Sequence, residues 1–296
     1  MYLLNRQQRH WINTSWMVAS LVLLSLLPFA LFAGLYLKSF LLLSDHHFFD
    51  LIFGRVWKPG SGQFGFYPFI IGSVWVTLLA MLISVPICLL VSIYVTQYTR
   101  KWVLRVIHPA IDILAGIPSV VYGLWGVLVI VPFISEYLGP LFGVKTMGYS
   151  ILAAAFVLSI MIIPFILNIM IEIFRSIPDE LKEASLSLGA SQWRTVKSVL
   201  LKKALPGIFA AVGFGLARAF GETMAVLMVV GNVVKVPTGV FSPGYTLPAL
   251  IANNYGEMLS IPQYDSALMF AALLLLGVSL FFNLLMHFLI SRYNKF

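Results

Sequence analysis

Residues 149–174 read YSILAAAFVLSIMIIPFILNIMIEIF, an apolar segment in which Glu172 is the only charged side chain. A bilayer with a hydrocarbon core about 30 Å thick is spanned by about 20 consecutive apolar residues in a helix. Because lipid offers the backbone no hydrogen-bond partners, a run of this length indicates a helix there. The segment therefore predicts a transmembrane helix.

The remainder of the chain is equally apolar. Of its 296 residues, 60% are hydrophobic and 10% are charged, whereas soluble domains contain about 25% charged residues. We predict an all-α integral membrane protein with six transmembrane helices, at residues 16–37, 70–97, 107–134, 149–174, 206–234 and 266–290. The other predicted segments are an N-terminal segment 1–15, an outer loop 38–69, a five-helix core within 70–290 and a tail 291–296.

Lysine and arginine residues are distributed unevenly between the two sides of these spans. One side carries Arg6, Arg9, Arg100, Lys101, Arg105, Arg175, Lys182, Arg194, Lys197, Lys202, Lys203, Arg292 and Lys295. The other side carries Lys38, Arg55, Lys58, Lys145 and Lys235. Because cytoplasmic loops are enriched in Lys and Arg, we predict that both termini are cytoplasmic. The net charge of +8 is thus a membrane-orientation signal, and we predict no nucleic-acid partner.

The loop at residues 175–205 differs from the spans in composition. Its sequence Ser176-Ile177-Pro178-Asp179-Glu180 is typical of a helix start, with a capping residue, an early proline and acids near the positive end of the dipole. Gly189-Ala190 then interrupts the apolar face. We predict a short amphipathic helix, a turn and a second helix leading into the fifth span. An amphipathic helix lying on the membrane surface is the alternative.

Within this loop, the sequence Glu183-Ala184-Ser185-Leu186-Ser187-Leu188-Gly189 resembles the Glu-Ala-Ala-x-x-x-Gly loop of ABC importer permeases. In that family the loop forms a coupling helix that docks into a groove of a cytoplasmic ATPase. The resemblance assigns ATPase coupling to Glu183, Ala184, Ser185, Leu188 and Gly189. Ser185 replaces the second alanine of the pattern, and Lys202 stands where many members have a proline.

The fifth span contains two ionisable residues, Arg218 and Glu222. They are four positions apart, so on a continuous helix they share a face and can pair. An arginine costs about 2.5–3.5 kcal/mol at the centre of a membrane helix, so we predict that both residues face a protein interior or a wet cavity. Arginine suits phosphate oxygens, and a nearby carboxylate lowers the positive field so that an anion is not trapped.

These features predict a substrate pathway that includes Arg218, Glu222, Thr223 and Asn232. The alternative is a buried structural ion pair that holds helices in register. Small residues recur every four positions in the same span, at Gly213, Ala217, Gly221 and Ala225. Such a stripe allows a neighbouring helix to approach closely, so we predict that it packs against another span.

In the third span, Gly116 and Pro118 predict a helix break, because a proline frees backbone groups and bends the helix. Asp112 precedes this break. We predict that it lies near the cytoplasmic end beside Arg105 and His108, with a position on a wet surface as the alternative.

Further segments resemble the phosphate-specific permeases of this family, at residues 64–73, 115–126, 215–226 and 231–232. The similar region extends from about residue 57 to 290 and is closer to the C-type of the two permease subunits in such a system. The resemblance implies a type I importer-like fold in the cytoplasmic (inner) membrane. It also implies membrane lipid and three protein partners: a homologous second permease, a cytoplasmic ATPase dimer and an extracytoplasmic phosphate-binding protein.

The function implied by the resemblance is ATP-driven translocation of inorganic phosphate by alternating access. The sequence has no Gly-x-x-x-x-Gly-Lys-Ser/Thr loop, so we expect no cofactor in this chain, with ATP and Mg²⁺ on the partner ATPase. Asp45, His46, His47 and Asp50 match no recognised metal-ligand spacing, and no nucleophile elbow is present. We therefore predict no metal site, no catalytic residue and no enzyme activity. Molybdate, sulfate or phosphonate as cargo, a gated anion channel and a lipid-head-group enzyme are the alternatives.

Overall fold

The computed structural model describes residues 6–256 and 262–293. Within these ranges, six helices are long and apolar enough to cross a membrane. They are α1 (Arg6–Asp45), α3 (Tyr67–Gln97), α5 (Ser119–Leu141), α6 (Ile151–Arg175), α8 (Gln192–Phe220) and α11 (Pro262–Tyr293). The prediction of six membrane helices is therefore confirmed. The predicted terminal segments fall partly on residues 1–5 and 294–296, which lie outside the described residues.

Shorter elements connect these spans. Five short α-helices are α2 (Phe48–Phe53), α4 (Lys101–Gly116), α7 (Asp179–Ser187), α9 (Met224–Val229) and α10 (Leu247–Asn254). One hairpin pairs β1 (Trp57–Lys58) with β2 (Gln63–Phe64) in antiparallel orientation. The outer loop predicted at 38–69 is thus largely structured, because α1 continues to Asp45 and α2 and the hairpin follow it.

The third span differs from its predicted range of 107–134. α4 ends at Gly116, Ile117 and Pro118 adopt extended backbone with ψ angles of 128° and 142°, and α5 starts at Ser119. Proline disfavours helical backbone at the residue before it, so the chain breaks completely here. The membrane-spanning helix is α5, and α4 forms a separate helix of which Ile111 is the one buried residue among the described side chains.

The fifth span differs from its predicted range of 206–234 at both ends. α8 is one continuous helix from Gln192 to Phe220, so it includes the second helix of the predicted loop. It ends at Gly221, and the chain resumes as α9 only after Thr223. Glycine and threonine both have low helix propensity, which accounts for the position of this break.

Two of the spans contain π-helical turns. They occur in α5 at Gly126–Ile130 and Ile134–Leu138, and in α8 at Val196–Leu200. A π-turn adds a residue to the helical turn, and such turns are frequent at functional sites.

α6 lies at the centre of the bundle, packed against α3, α4 and α8. Its most apolar window is 67% buried, whereas the corresponding window of α1 is 0% buried and α1 lies at the periphery against α11. The close contact with α8 depends on glycines. A Cβ atom added to Gly215 would lie 2.6 Å from Cδ1 of Ile166, and one added to Gly207 would lie 2.7 Å from Cγ2 of Ile173.

The small-residue stripe that faces α6 therefore consists of Gly207, Ala211, Gly215 and Ala219. It differs from the predicted stripe of Gly213, Ala217, Gly221 and Ala225. Gly213 does approach α11, since an added Cβ would lie 3.1 Å from Cβ of Met286. Gly221, however, is exposed beyond the end of α8, and Ala225 belongs to α9. The predicted single stripe is thus wrong, because the helix that would align it ends at Phe220. Ala225 does pack closely against α5, since a Cβ added to Gly123 would lie 3.2 Å from the Cα of Ala225.

The ends of the elements form two faces. On the first, the side chain of Gln192 in α8 donates to the backbone carbonyl of Gln97 at the end of α3, at 2.8 Å. This face also holds α7. We call it the basic face, because it carries a cluster of cationic residues: Arg100, Arg105, Arg175, Lys182, Arg194, Lys197, Lys202 and Lys203. On the opposite face, the start of α6 is tied to the loop before α10 by a bond of 3.0 Å from the Ile151 amide to the Ser242 carbonyl.

Two neighbouring residues of α3 hold the chain just before α10. The hydroxyl of Ser73 accepts a hydrogen bond of 2.8 Å from the Leu247 amide. Gly72 contacts the backbone of Tyr245 so closely that an added Cβ would overlap the Tyr245 carbonyl oxygen. Because backbone cannot rotate away as a side chain can, this position requires glycine.

We expect the substitution Gly72→Ala to lower the free energy of unfolding by about 1–3 kcal/mol, the usual cost of overpacking. Thermal unfolding of the purified chain in detergent measures this effect. Gly277→Ala is the matched control, because an added Cβ there meets no atom within 4 Å. Equal melting temperatures for the two variants would contradict the prediction.

Candidate functional site

Arg218 lies in the last turn of α8, and its side chain is exposed. Its guanidinium carbon is 5.4 Å from the ring centroid of Phe165 on α6, which places the charge over the aromatic face. In the described part of the chain, the one ion pair joins Arg175 to Glu172 at 3.1 Å. The predicted pair between Arg218 and Glu222 is therefore wrong. The two residues do not share a helix face, because α8 ends between them.

Glu222 instead stabilises the chain after the break. Its Oε1 atom accepts a hydrogen bond of 3.2 Å from the Ala225 amide in the first turn of α9. Glu222 also lines a small cavity of about 10 Å³, together with Ser73, Thr77 and Thr246. Thr246 Oγ1 is buried without a hydrogen-bond partner among the described residues. A cavity of this size with polar walls suits one water molecule.

Thr223 and Asn232, the other two predicted pathway residues, lie beyond the end of α8. The hydroxyl of Thr223 donates to the Gly221 carbonyl at 3.4 Å, within the break itself. Asn232 has a left-handed φ of 51° and donates from Nδ2 to the Leu227 carbonyl at 2.9 Å. It lines a cavity of about 760 Å³ on the opposite face, which Lys145 also lines.

A polar stripe on α6 connects the region of Arg218 with the basic face. Phe165, Asn168, Glu172 and Arg175 follow at helical spacing, so they share one face of α6. Asn168 donates from Nδ2 to Asp112 of α4 at 3.3 Å, and Asp112 is exposed. Asp112 thus joins this stripe. Arg105 and His108 precede it on α4 at the same helical spacing, and they line a cavity on the basic face.

Our sequence analysis did not identify Asn168 and Glu172. Their signal was present, because they are the amide and the carboxylate side chains within the apolar segment 149–174 and stand four positions apart. Such spacing places them on a common helix face, but one apolar segment does not show which neighbour that face meets.

The break before α5 leaves the last carbonyl groups of α4 without helical partners. Tyr122, buried in the first turns of α5, donates its hydroxyl to the Leu114 carbonyl at 2.8 Å. The predicted break residues, Gly116 and Pro118, stand on either side of Ile117 at this point. The Leu114 carbonyl also accepts from the Ile117 amide at 3.3 Å, and the tyrosine adds a second hydrogen bond that ties the start of α5 to the end of α4.

The predicted coupling residues lie on α7 and the turn after it. None of the α7 side chains is buried, and Leu188, directly after the helix, is 88% exposed. Gly189 has a φ of 78°, a left-handed conformation that favours glycine at a helix end. The turn is fixed by Ser191, which accepts from the Arg194 amide, and by a 2.9 Å contact between the hydroxyls of Ser185 and Thr195. The structure thus presents an exposed helix end with the apolar side chain of Leu188 at its tip.

The sequence profile of one family, described as binding-protein-dependent transport system inner membrane component, matches residues 88–295. The chain belongs to this family. Its members are transport components of the inner membrane, which confirms the prediction of a multi-pass inner-membrane transport subunit and not an enzyme.

Individual relatives cover most of the chain. It is 37% identical to the phosphate transport system permease protein PstC of Xylella fastidiosa (strain 9a5c), over 78% of this chain and 74% of the relative. It is 40% identical to the probable ABC transporter permease protein YqgH of Bacillus subtilis, over 80% and 75%. A probable PstC of Methanocaldococcus jannaschii is 33% identical over 90% and 89%. The resemblance to phosphate-specific ABC importer permeases is thereby confirmed.

Two solved structures share the fold. One is a bacterial alginate ABC transporter in complex with a periplasmic protein, with a TM-score of 0.67, 15% identity and coverage of 97% of this chain and 96% of that chain. The other is an inward-facing form of the MetNI methionine ABC transporter, with a TM-score of 0.54, 21% identity and coverage of 80% and 99%. These likenesses confirm the fold class of an ABC importer permease.

We expect Glu222→Ala to lower the free energy of unfolding by about 1 kcal/mol, because it removes the oxygen that accepts the Ala225 amide. Glu222→Gln keeps an acceptor oxygen and should lose less than half of that. Denaturation of the purified chain in detergent measures both values. An alanine variant as stable as the glutamine variant would show that this hydrogen bond does not stabilise α9.

Proposed function

We propose that this chain is the transmembrane permease subunit of an ATP-driven importer that carries inorganic phosphate across the cytoplasmic membrane by alternating access. The names of the relatives support phosphate as the cargo, since several of them are phosphate transport permeases at 33–37% identity. The position of Arg218 supports the location of the pathway.

Arg218 is the observation on which the pathway rests. Its guanidinium lies over the ring of Phe165, which is about 15 Å along α6 from Arg175 at 1.5 Å per residue, and therefore near the middle of a hydrocarbon core about 30 Å thick. Its side chain is exposed on the surface of the isolated chain. A charged group at that depth is costly in lipid. The surface around Arg218 must therefore meet water or a second protein subunit.

The polar stripe gives the anion a route from Arg218 to the basic face. The guanidinium offers a planar set of donors to phosphate oxygens. Asp112 and Glu172 lie further along the route as exposed carboxylates, one hydrogen-bonded to Asn168 and the other paired with Arg175. Their negative charge weakens the binding of an anion that has left Arg218, so that the phosphate is released and not trapped.

The second permease covers the exposed face that carries Arg218, so that the pathway lies between two homologous subunits. Lys and Arg residues are concentrated on the basic face, which orients it toward the cytoplasm. There the exposed end of α7, with Leu188, enters a groove of the ATPase dimer. ATP and Mg²⁺ bind to that ATPase. The extracytoplasmic binding protein delivers phosphate at the opposite face, where Asn232 and Lys145 line the large cavity.

Arg218→Lys should reduce phosphate uptake at least about tenfold, because a lysine lacks the planar fork for two phosphate oxygens. The measurement is ATP-dependent uptake of labelled phosphate by proteoliposomes that hold the full importer, with sulfate as the competing cargo. Arg55→Lys is the matched control. Arg55 also lies over an aromatic ring, 5.6 Å from that of Tyr67, but on the opposite face outside the pathway. Near-normal uptake by Arg218→Lys would remove the assigned role, and preferential uptake of sulfate would change the cargo.

Leu188→Asp should reduce the amount of ATPase subunit that co-purifies with this chain at least about tenfold, because it places a charge in the apolar contact. Leu141→Asp is the control, since Leu141 is 76% exposed at the end of α5 toward the opposite face. If both variants retain the ATPase equally, α7 lies on the membrane surface and does not dock.

A further inference from the structure

We propose that a cavity on the basic face is a binding site for inorganic phosphate, separate from Arg218. The cavity has a volume of about 570 Å³ and lies between the end of α3, the helix α4, the end of α6 and α7. It shares Arg175 with the polar stripe, but its other polar walls belong to none of the residues assigned to the pathway. The site does not depend on the proposed transport function, because it rests on the chemistry of its own lining.

Three cationic side chains reach this cavity from three different helices, Arg105 from α4, Arg175 from α6 and Lys182 from α7. Asp179 is the carboxylate among the described lining residues. Within the described chain, Arg105 and Lys182 form no ion pair, and Arg175 is paired with Glu172. The lining is therefore net positive. Cations that converge on one cavity from separate helices favour a compact anion with several oxygens.

Two polar atoms at this cavity lack partners. Oε1 of Gln97 and Nε2 of His108 are buried and have no hydrogen-bond partner in the described part of the chain. Buried polar groups are nearly always paired, so atoms of this kind indicate a ligand or water oxygen beside them. His108 can donate such a bond from Nε2 without losing an existing contact.

The amide orientation of Gln97 follows from its neighbour. Its Nε2 atom donates to Oγ1 of Thr96 at 3.3 Å, and Thr96 in turn donates its own proton to the Ser92 carbonyl at 2.7 Å. A reversed amide would place two acceptors against each other, because the threonine proton is already used. The free atom of Gln97 is therefore an oxygen, which can only accept a hydrogen bond.

The Gln97 oxygen accepts a hydrogen bond and lies among cationic side chains, and this combination determines which anion the cavity favours. Hydrogen phosphate retains an O–H group at neutral pH, so it can donate to Gln97 while its charged oxygens contact Arg105 and Lys182. Sulfate and the phosphodiester of a lipid head group carry no such proton, and they would leave the Gln97 oxygen unpaired. The chemistry of the lining thus favours inorganic phosphate over a lipid or sulfate.

Phosphate bound here would connect α7 to the helix bundle. Lys182 belongs to α7, whereas Arg105 and His108 belong to α4, and one anion between them forms contacts to both helices. Otherwise α7 is held mainly through its contacts with the start of α8. Occupancy of the site is therefore expected to restrain α7.

The test is equilibrium dialysis of the purified full chain with labelled inorganic phosphate, in a neutral detergent. All proteins carry Arg218→Gln, so that binding at the proposed pathway does not contribute. We expect saturable binding that falls about tenfold with Lys182→Gln or Arg105→Gln, since each removes one charge-assisted contact. Lys203→Gln should leave binding unchanged. Lys203 is an exposed lysine of the same face that does not line the cavity.

Two further measurements distinguish this site from a general attraction of anions. A tenfold excess of sulfate should displace little phosphate, and amide hydrogen exchange in α7 should slow when phosphate is added. Absence of saturable binding in the Arg218→Gln protein would overturn the proposal. So would equal loss with Lys203→Gln or equal competition by sulfate. A repeat of the exchange measurement in bilayers containing phosphatidylglycerol tests the lipid alternative, and protection of α7 that occurs only there, without phosphate, would also overturn the proposal. Melting temperatures identify a variant that has merely misfolded, and Lys182→Gln, in a helix without buried residues, should fold normally.

Discussion

Hydrocarbon cannot solvate ions, and this constraint determines which surfaces of the chain can face lipid. α1 satisfies it throughout its middle, where exposed side chains such as Leu21, Leu24 and Phe29 are apolar. The surface formed by the end of α8 and one side of α6 does not. Arg218 is exposed there, and Asp112 and Glu172 are exposed along the same stripe. The fold therefore has one side suited to acyl chains and one side that needs water or another protein surface against it.

Interrupted helices at membrane depth are compatible with this arrangement only because their free backbone groups find other partners. Tyr122 satisfies a carbonyl of α4 at the first break, and Glu222 satisfies an amide of α9 at the second. Irregular backbone within a membrane is tolerated where it is enclosed by protein or lines a cavity. Gly116, Pro118 and Gly221 at the two breaks are exposed in the isolated chain, so this condition requires water or another protein surface against them.

The sequence was sufficient to predict the six spans and the short helix and turn that precede the fifth span, because run length and the helix-start pattern are local properties. It was not sufficient for contacts between distant segments. Glu222 stands four residues after Arg218, and only the end of α8 at Phe220 shows that this spacing does not bring them together. The packing stripe was misplaced for the same reason. Gly207 and Gly215 contact Ile173 and Ile166 of α6, and no pattern within α8 identifies those partners.

The same limit applies to the polar stripe on α6. Asn168 and Glu172 are visible in the sequence. The polar stripe, however, also includes Asp112, which is fifty-six positions away from its hydrogen-bond partner Asn168 in the chain. The two cavities that contain Asn232 and Lys182 likewise arise from the meeting of several segments. Local chemistry thus identifies the residue types, whereas the tertiary fold decides which of them meet.

α8 is one uninterrupted helix from Gln192, beside α7, to Phe220, beside Arg218. Its 29 residues correspond to a rod of about 42 Å from first to last residue at 1.5 Å per residue. A tilt of about 5° around its basic-face end would displace Phe220 by about 4 Å, comparable to the width of a phosphate ion. The π-turn at Val196–Leu200 lies near the fulcrum. A small change in the angle of α8 at the basic face therefore produces a displacement of several ångströms at Phe220, while the helix itself stays straight.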